Sequence, residues 1–409
     1  MRMRHVLIIT SIAFAISTNA NASDAFSISA NIVNGSNVQS ISKSFDSVQS
    51  VINFFNNNKL SSFASTYTPN SGVNAAVTYL GVPVSLSYAQ NSTSLTFKVP
   101  GIGLNQTFTG SSRDQSASQL EKFLKGNGAS IVNQFQKYLT SNSDISPIAG
   151  NPGSLQSTMI ANGFTSGAMN SAANASSPDG NRFGLGVSAG EFSVKGYSGT
   201  SYQLPLSYAY RFDNPGWQIQ LNMPIGYQQI GTAQSYSAQL GAGLQIPLLT
   251  GVDWYLIPTV SAGATGSADL GAAGVLYSFA ANNRYSYHAT PNLTITLGNM
   301  VGQVNSSKVT ISGYNIDPGV RNTVLKNGLS AEYKTDWTFW DEPLSIRAGM
   351  AYTDALGNKL AIANYSEFSL DFGTLPGEDA PFYKRLRLGA TFATGAGYQA
   401  ASLNFGYQF

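Results

Sequence analysis

The sequence predicts an all-β transmembrane antiparallel β-barrel of twelve strands, with fourteen as the alternative, preceded by a helix and a small α+β N-terminal region. Three observations predict it. In residues 401–409, Ala401, Leu403, Phe405, Tyr407 and Phe409 fall on one face of a strand, and Ser402, Asn404, Gly406 and Gln408 fall on the other. From about Arg182 onward, segments of about ten residues repeat this apolar/polar alternation, the signature of a membrane strand. Finally, only 10% of residues are charged, against roughly 25% in a soluble domain, while 11% are aromatic, 41 are glycine and none is cysteine.

The elements follow in chain order. Met1-Arg2-Met3-Arg4-His5 is basic, Val6 to Ile16 is apolar but too short to span a bilayer, and Ala20-Asn21-Ala22 is an A-x-A cleavage site. Residues 1–22 therefore read as a signal peptide cleaved near Ala22, with the mature chain starting at Ser23. No cysteine near the cut suggests a lipid anchor. Residues 23–150 read as the α+β region. Phe45, Val48, Val51, Ile52 and Phe55 have helical spacing. Val73 to Tyr88 and Leu95 to Phe108 read as hairpins turning at Gly81-Val82-Pro83 and Pro100-Gly101. Leu120, Phe123, Leu124, Ile131, Val132, Phe135, Tyr138 and Leu139 give two amphipathic pieces broken at Gly126-Asn127-Gly128.

Residues 151–181 read as a helix and linker. Pro147 to Gly153 is a rigid turn, and Ser154 suits the N-cap of a helix from about Leu155 to Met169. Ser157, Thr158, Ala161, Asn162, Ser166, Gly167 and Ala168 make this helix small and polar enough to fit inside a polar lumen as a plug.

Residues 182–409 read as the barrel. Phe183, Leu185, Val187 and Ala189 alternate with Gly and Ser. Leu204, Leu206, Tyr208, Tyr210 and Phe212 follow, then an Asp213-Asn214-Pro215-Gly216 turn, then Trp217, Ile219, Leu221, Met223, Ile225 and Tyr227. Tyr236 to Leu248, Trp254 to Ala264, Leu293 to Val301, Leu329 to Tyr333, Leu344 to Tyr352, Phe368 to Phe372 and Leu386 to Phe392 supply further strands. Tyr210, Phe212, Trp217, Trp254, Trp337, Trp340, Phe372 and Phe382 near strand ends suggest an interfacial girdle.

The Asn282-Asn283 pair could end a hairpin. Yet Val275, Tyr277, Phe279, Ala281, Tyr285 and Tyr287 share one parity, so one long strand through the pair keeps the apolar side chains on the lipid face. That gives twelve strands, an even number as single-chain bacterial barrels have. Both barrel ends are then periplasmic, with periplasmic turns at Asp213 to Gly216, Leu249 to Asp253, Pro291-Asn292 and Asp336 to Pro343. A strand at Lys308 to Tyr314 would make fourteen.

Arg211, Glu332, Lys334, Arg347, Glu367, Asp371, Arg385 and Arg387 take the inward parity of their strands. A charge facing lipid costs up to about 2–4 kcal/mol at mid-membrane, so any barrel places them inward. They make either a charged constriction or docking surface for the helix, or a network of ion pairs that stiffens the wall. Both signs are present, so strong ion selectivity is not expected. His288 is the one histidine after the signal peptide, and its parity with Arg284 and Ser286 puts it on the lumen face. A hydrolase reading would make it a general base, but no motif fixes its partners. No metal-ligand cluster, phosphate loop or cofactor motif is present, and a net charge of +2 suggests no nucleic-acid partner.

Twelve strands, a terminal aromatic strand and a helix just before the first strand resemble the translocator domain of autotransporters, over about Leu155 to Phe409. The resemblance implies a helix threading or plugging the pore. No long β-helix repeat precedes that helix, so the chain looks like a solitary autotransporter-like barrel. It implies a Gram-negative outer-membrane location, with the lipid bilayer, lipopolysaccharide and the barrel assembly machinery as partners. The machinery would read Leu403, Phe405, Tyr407 and Phe409 as an assembly signal. The expected role is non-enzymatic: structural, surface-display or transport. A plugged porin for small solutes is the alternative, and a barrel hydrolase on His288 a further one. Oligomeric state and the side occupied by residues 23–150 stay open.

Overall fold

The computed structural model describes residues 25–408, apart from 56, 124–128, 170–181, 312–313 and 376–384. The segment expected to be a signal peptide, the expected break at Gly126-Asn127-Gly128, Phe382 and Phe409 lie outside the described residues.

Six antiparallel strands make the N-terminal sheet: β1 (Phe26–Asn34), β2 (Asn37–Phe45), β3 (Gly72–Tyr79), β4 (Val82–Tyr88), β5 (Leu95–Val99) and β6 (Leu104–Phe108), in the order β2-β1-β3-β4-β5-β6. The two hairpins read from sequence are β3–β4 and β5–β6. The β1–β2 hairpin was not expected. Phe26, Ile28, Ala30 and Ile32 alternate inward along β1, and Asn34-Gly35, with Gly35 at φ +61°, makes the turn. Phe45 therefore closes β2 rather than opening a helix, and α1 runs Val48–Phe54.

Helices α1, α2 (Asn57–Phe63), α3 (Arg113–Lys122) and α4 (Ala129–Asn142) complete the domain. Val51, Phe54, Leu60, Leu120 and Leu139 pack with the sheet's apolar face in one core. Arg113 is buried inside this domain. Its Nη2 donates to Ser71 O at 2.5 Å and Ala89 O at 3.3 Å, its Nε to Ser92 O at 3.0 Å, and its guanidinium lies 4.6 Å from the Tyr88 ring centre.

The helix expected to reach Met169 is α5 (Leu155–Phe164), followed by a π-helical turn over Thr165–Met169. Ser154 occupies the N-cap position but makes no capping bond; its hydroxyl donates to Asn151 O at 2.6 Å.

The barrel then begins. β7 is Arg182–Val194. β8 (Tyr197–Leu204) and β9 (Leu206–Arg211) are one spanning strand interrupted at Pro205, which lacks an N–H for the ladder. Its carbonyl still accepts from Gly186 N at 2.9 Å. β10 (Gln218–Asn222) and β11 (Ile225–Ile230) are likewise one strand, broken around Pro224. β12 (Ala233–Pro247), β13 (Trp254–Ser267), β14 (Ala272–Thr290) and β15 (Leu293–Ser307) follow. β16 (Val309–Ile311) and β17 (Tyr314–Ile316) pair only with each other. β18 (Arg321–Phe339), β19 (Glu342–Gly357), β20 (Asn364–Thr374), β21 (Leu386–Gly395) and β22 (Tyr398–Gln408) complete the wall.

β22 pairs with β7 from Gln408↔Gly184 to Tyr398↔Val194, which closes the barrel. The fourteen bonded segments contain two interrupted strands, so twelve strands span. Fourteen is thus excluded: the Lys308 to Tyr314 segment belongs to the separate β16–β17 hairpin, because it sits in the loop between β15 and β18, which pair directly. β14 runs unbroken through Asn282-Asn283, as the shared parity required.

The rim where β7 starts and β22 ends is called lower here, and the opposite rim upper. The four turns read as periplasmic all lie at the lower rim. The last is tighter than expected: β18 continues to Phe339, and Trp340-Asp341, both at positive φ, turn alone.

Outward side chains form an apolar belt including Leu240, Val260, Leu297, Met350 and Leu403. Tyr202, Tyr236, Tyr277 and Tyr352 ring its upper edge; Phe212, Trp254, Tyr287, Trp337 and Trp340 ring the lower. Tyr277 and Tyr287 on β14 are about 26 Å apart in height, at ~3.4 Å per residue and ~40° tilt, close to the apolar band of membrane barrels. Inside this belt Asn283, Asn299 and Asn327 face outward as a ladder. Asn299 Nδ2 donates to Asn327 Oδ1 at 2.7 Å, and Asn283 Oδ1 accepts from Trp254 Nε1 at 2.6 Å. Their mutual bonds offset the cost of polar groups there. No helix among the described residues is long and apolar enough to cross a membrane.

The N-terminal domain seals the upper rim. Its core is continuous with Phe192, Val194, Tyr197, Ile230, Leu270, Ile362 and Tyr398, all near upper turns. Tyr79 Oη donates to Leu270 O at 2.9 Å, and Gln136 Nε2 to Gly271 O at 2.7 Å. Lys195 pairs with Asp144 at 2.8 Å.

Candidate functional site

The candidate site is the lumen, and α5 occupies it. The chain enters from the upper rim, where Gly150 O accepts from Ile362 N at 3.0 Å and Ile148 packs toward Gly274. It then descends. Gln239 Nε2 donates to Thr158 Oγ1 at 2.7 Å, and Asn162 Nδ2 donates to Gln239 Oε1 at 3.3 Å. Lower down, Arg284 Nη1 donates to Gly167 O at 3.4 Å.

Wall glycines make the fit. A Cβ on Gly328 would lie 2.9 Å from Phe164 Cζ, and one on Gly298 would lie 2.7 Å from Met169 Sδ. Both glycines face the lumen, so the helix lies nearly on the sheet backbone at these points.

The wall opposite the helix is apolar in part. Leu276, Met300, Val304 and Val324 point inward and form one cluster with Leu155, Met159, Ile160, Phe164 and Ala168. This corrects the expectation that β14 keeps its apolar side chains on the lipid face, since Leu276 is wholly buried against the plug side. Inward apolar residues suit a helix partner and not a water-filled channel. Between Met159, Ile160, Gly163 and the wall about 20 Å³ remains, room for about one water.

The charges gather lower down. Arg347 Nε donates to Asp371 Oδ2 at 3.0 Å, and Arg387 pairs with Asp371 through Nε and with Glu332 through Nη2 at 2.9 Å. Ser345 Oγ donates to Glu332 Oε1 at 2.8 Å. Four of the inward charges thus join across β18, β19, β20 and β21. Their two guanidiniums and two carboxylates balance, as an internal network that stiffens the wall would.

Glu367 stands apart and pairs with Lys326, whose ammonium lies 5.3 Å from the Phe164 ring centre. Lys326 was missed because the sequence reading started this strand at Leu329, whereas β18 begins at Arg321. Lys326 and Arg284 are both wall charges that touch the plug. Arg284 is fully buried; its Nη2 donates to Gln245 Oε1 at 2.6 Å, and its guanidinium stacks 4.8 Å from the Tyr255 ring centre. Arg211 and Arg385 are half-buried at the lower rim, and Lys334 is exposed. Leu403 and Phe405 face outward and are exposed, while Tyr407 pairs through its backbone with Leu386 and Leu185.

His288 lies near the lower rim. Its Nε2 contacts Asp253 Oδ2 at 2.7 Å and its Nδ1 contacts Thr294 Oγ1 at 3.0 Å. The acid–base–hydroxyl order resembles a relay, but the imidazole side chain is 62% exposed. Thr294 also faces Glu332 across the β15–β18 pair, and a carboxylate there opposes a developing oxyanion.

No family model and no curated protein matches this chain. Solved structures do. The barrel is similar to autotransporter translocator domains. That of NalP from Neisseria meningitidis has 13% identity and a TM-score of 0.45, covering 62% of this chain and 95% of its own. The β domain of the Bordetella autotransporter BrkA has 12% identity and a TM-score of 0.42, covering 56% and 99%. An outer membrane channel from Pseudomonas putida F1 has 13% identity and a TM-score of 0.38, covering 56% and 95%. These values describe a shared barrel shape; the strand count here rests on this chain's own pairing.

Proposed function

We propose that this protein is a non-enzymatic outer-membrane display barrel of autotransporter-like type. The barrel sits in the Gram-negative outer membrane with its lower rim periplasmic, and it holds the N-terminal domain at the cell surface. The carrying observation is the seat of that domain on the upper rim, reached by a helix that threads the lumen. The apolar belt and its two aromatic rings support the membrane setting.

Labelling tests the orientation. The chain has no cysteine, so single cysteines report cleanly. On intact cells a membrane-impermeant maleimide should label Lys98→Cys on exposed β5. It should label Asn214→Cys, at a lower turn, only after the outer membrane is permeabilised. The reverse pattern would overturn the reading. A porin role requires α5 to leave the lumen; steady current through the full-length protein in planar bilayers would favour it.

A further inference from the structure

An open groove of about 520 Å³ lies in the N-terminal domain where it meets the barrel, a size that suits a small ligand (roughly 300–1,000 Å³ for known pockets). Lys43 and Phe45 of β2, Asp46, Lys59 and Phe63 of α2, and Thr232 of the β11–β12 turn line it. Lys43 and Lys59 form no ion pair among the described residues, so the groove carries an excess of cation. Its carboxylate is already engaged: Asp46 Oδ1 accepts from Ser50 Oγ at 2.7 Å and from Ser47 Oγ at 3.3 Å. The Lys43 ammonium rests 3.6 Å from the Phe63 ring centre and 5.6 Å from that of Phe45, which fixes its position.

Location narrows the ligand. Thr232 follows β11, and Tyr227, Tyr236 and Tyr202 form a lipid-facing cluster on adjoining strands, with ring centres 5.3 and 6.0 Å apart. Thr232 lies four residue steps from Tyr236, about 10 Å of height at ~3.4 Å per residue and ~40° tilt. Tyrosines mark the edge of the hydrocarbon, and the headgroup layer adds about 5–8 Å beyond it. At Thr232 the groove therefore opens about 2–5 Å beyond the headgroup layer, at the height of a glycolipid's sugars rather than of a phospholipid headgroup.

We propose that this groove binds the phosphorylated sugar headgroup of a glycolipid in the adjoining leaflet, clamping the domain to the membrane beside the barrel. Lipopolysaccharide as the source rests on the outward orientation proposed above. The test uses purified full-length protein in neutral detergent, with lipopolysaccharide, phosphatidylethanolamine and inorganic phosphate as separate probes. It reads binding on either orientation, whereas the cysteine labelling decides the side, so the two readings fail separately.

Lipopolysaccharide should bind best. Lys43→Ser/Lys59→Ser should bind it about 30-fold more weakly, ~2 kcal/mol at 1.4 kcal/mol per tenfold, as expected from two lysines near a charged surface. Lys59→Glu, an exposed helix position that should leave folding intact, should lose at least ~10-fold, again ~1.4 kcal/mol. Lys98→Ser, away from the groove, should bind as the native protein does. Unchanged affinity in both groove variants, an equal loss in Lys98→Ser, or phosphate binding as tightly as lipopolysaccharide would each overturn the proposal.

Discussion

Gly328→Leu should unseat the plug without touching it chemically. Gly328 faces the lumen on β18, and a Cβ there would lie 2.9 Å from Phe164 Cζ, 3.1 Å from Phe164 Cε1 and 3.2 Å from Met350 O. The carbonyl belongs to the wall and cannot retreat, so the Phe164 ring must. Phe164 is buried at 3% exposure in the cluster that joins α5 to the wall. Overpacking of this kind costs about 1–3 kcal/mol. A loss of ~2 kcal/mol raises the population of unseated helix about 30-fold. Hydrogen exchange reads this, since amide exchange from the helix scales with its local opening. Uptake over residues 155–164 should quicken about 30-fold in Gly328→Leu, at roughly 1.4 kcal/mol per tenfold. Phe164→Ala should also quicken it by deleting buried contacts. The double variant, in which leucine fills the space left by phenylalanine, should be slower than the sum of the two predicts. Unchanged exchange in Gly328→Leu, or strict additivity in the double variant, would refute a helix held by steric fit at this point. Gly406→Ala is the control, because its added Cβ meets nothing closer than Leu185 O at 3.9 Å.

Three further outcomes follow from the same contacts. Lys326→Met leaves Glu367 facing the lumen without its cation and should lower thermal stability by about 3–5 kcal/mol, whereas Lys326→Met/Glu367→Leu should cost much less; melting curves of the purified protein compare the two. Arg113→Ala should destabilise the N-terminal domain by a few kcal/mol, roughly 1–3 for each buried acceptor left unpaired, and Arg113→Lys should fail to restore it, because one ammonium cannot reproduce a fork that serves three carbonyls. Asp317 lies in the upper loop that meets α4, where its backbone N donates to Asn133 Oδ1 at 3.0 Å. Burial pushes its carboxyl up, but the Ser306 hydroxyl, the Gly319 amide, Lys137 and Lys308 outweigh burial and hold it below the usual range. A carboxyl depressed in the folded state stabilises above its unfolded pKa of about 3.9, and that contribution fades as pH falls through the lower folded value. Acidification below about pH 4 should therefore loosen this contact, and exchange over residues 129–142 should lose that pH step in Asp317→Asn.

Much of the barrel was legible because period two is a direct consequence of strand geometry. Tyr277, Phe279, Tyr285 and Tyr287 could face one way only if Asn282-Asn283 lay inside a strand, and β14 is that strand. Parity assigns a side, however, and says nothing of what fills the lumen. Leu276, Met300, Val304 and Val324 point inward because their partner is α5, distant in sequence. Lys326 was hidden by its neighbours: outward Asn327 blurs the alternation that would have extended β18 upward. Eight inward charges could be assigned to the lumen face, but that Arg387 bridges Asp371 and Glu332 depends on the register of four strands. The β1–β2 hairpin was readable from Phe26, Ile28, Ala30, Ile32 and Asn34-Gly35. Its second strand was obscured at Phe45 alone, which closes β2 but also fits the helical spacing of Val48 and Val51. The seat of the domain on the upper rim had no local signal at all, since each contact joins a turn to a distant surface.

The threaded helix also constrains the order of events during biogenesis. A helix is about 10 Å across, and α5 leaves little room beside it in this lumen. The six-stranded sheet spans about 24 Å at ~4.8 Å between strands. As folded, the domain is too wide for the passage that its own tether follows. In the outward orientation proposed above, it would reach the upper rim either as an extended chain, folding only after transit, or before β22 had zipped onto β7. The β7–β22 seam is therefore more than the last pair of strands to close: it is the clock against which the folding of everything upstream must be timed.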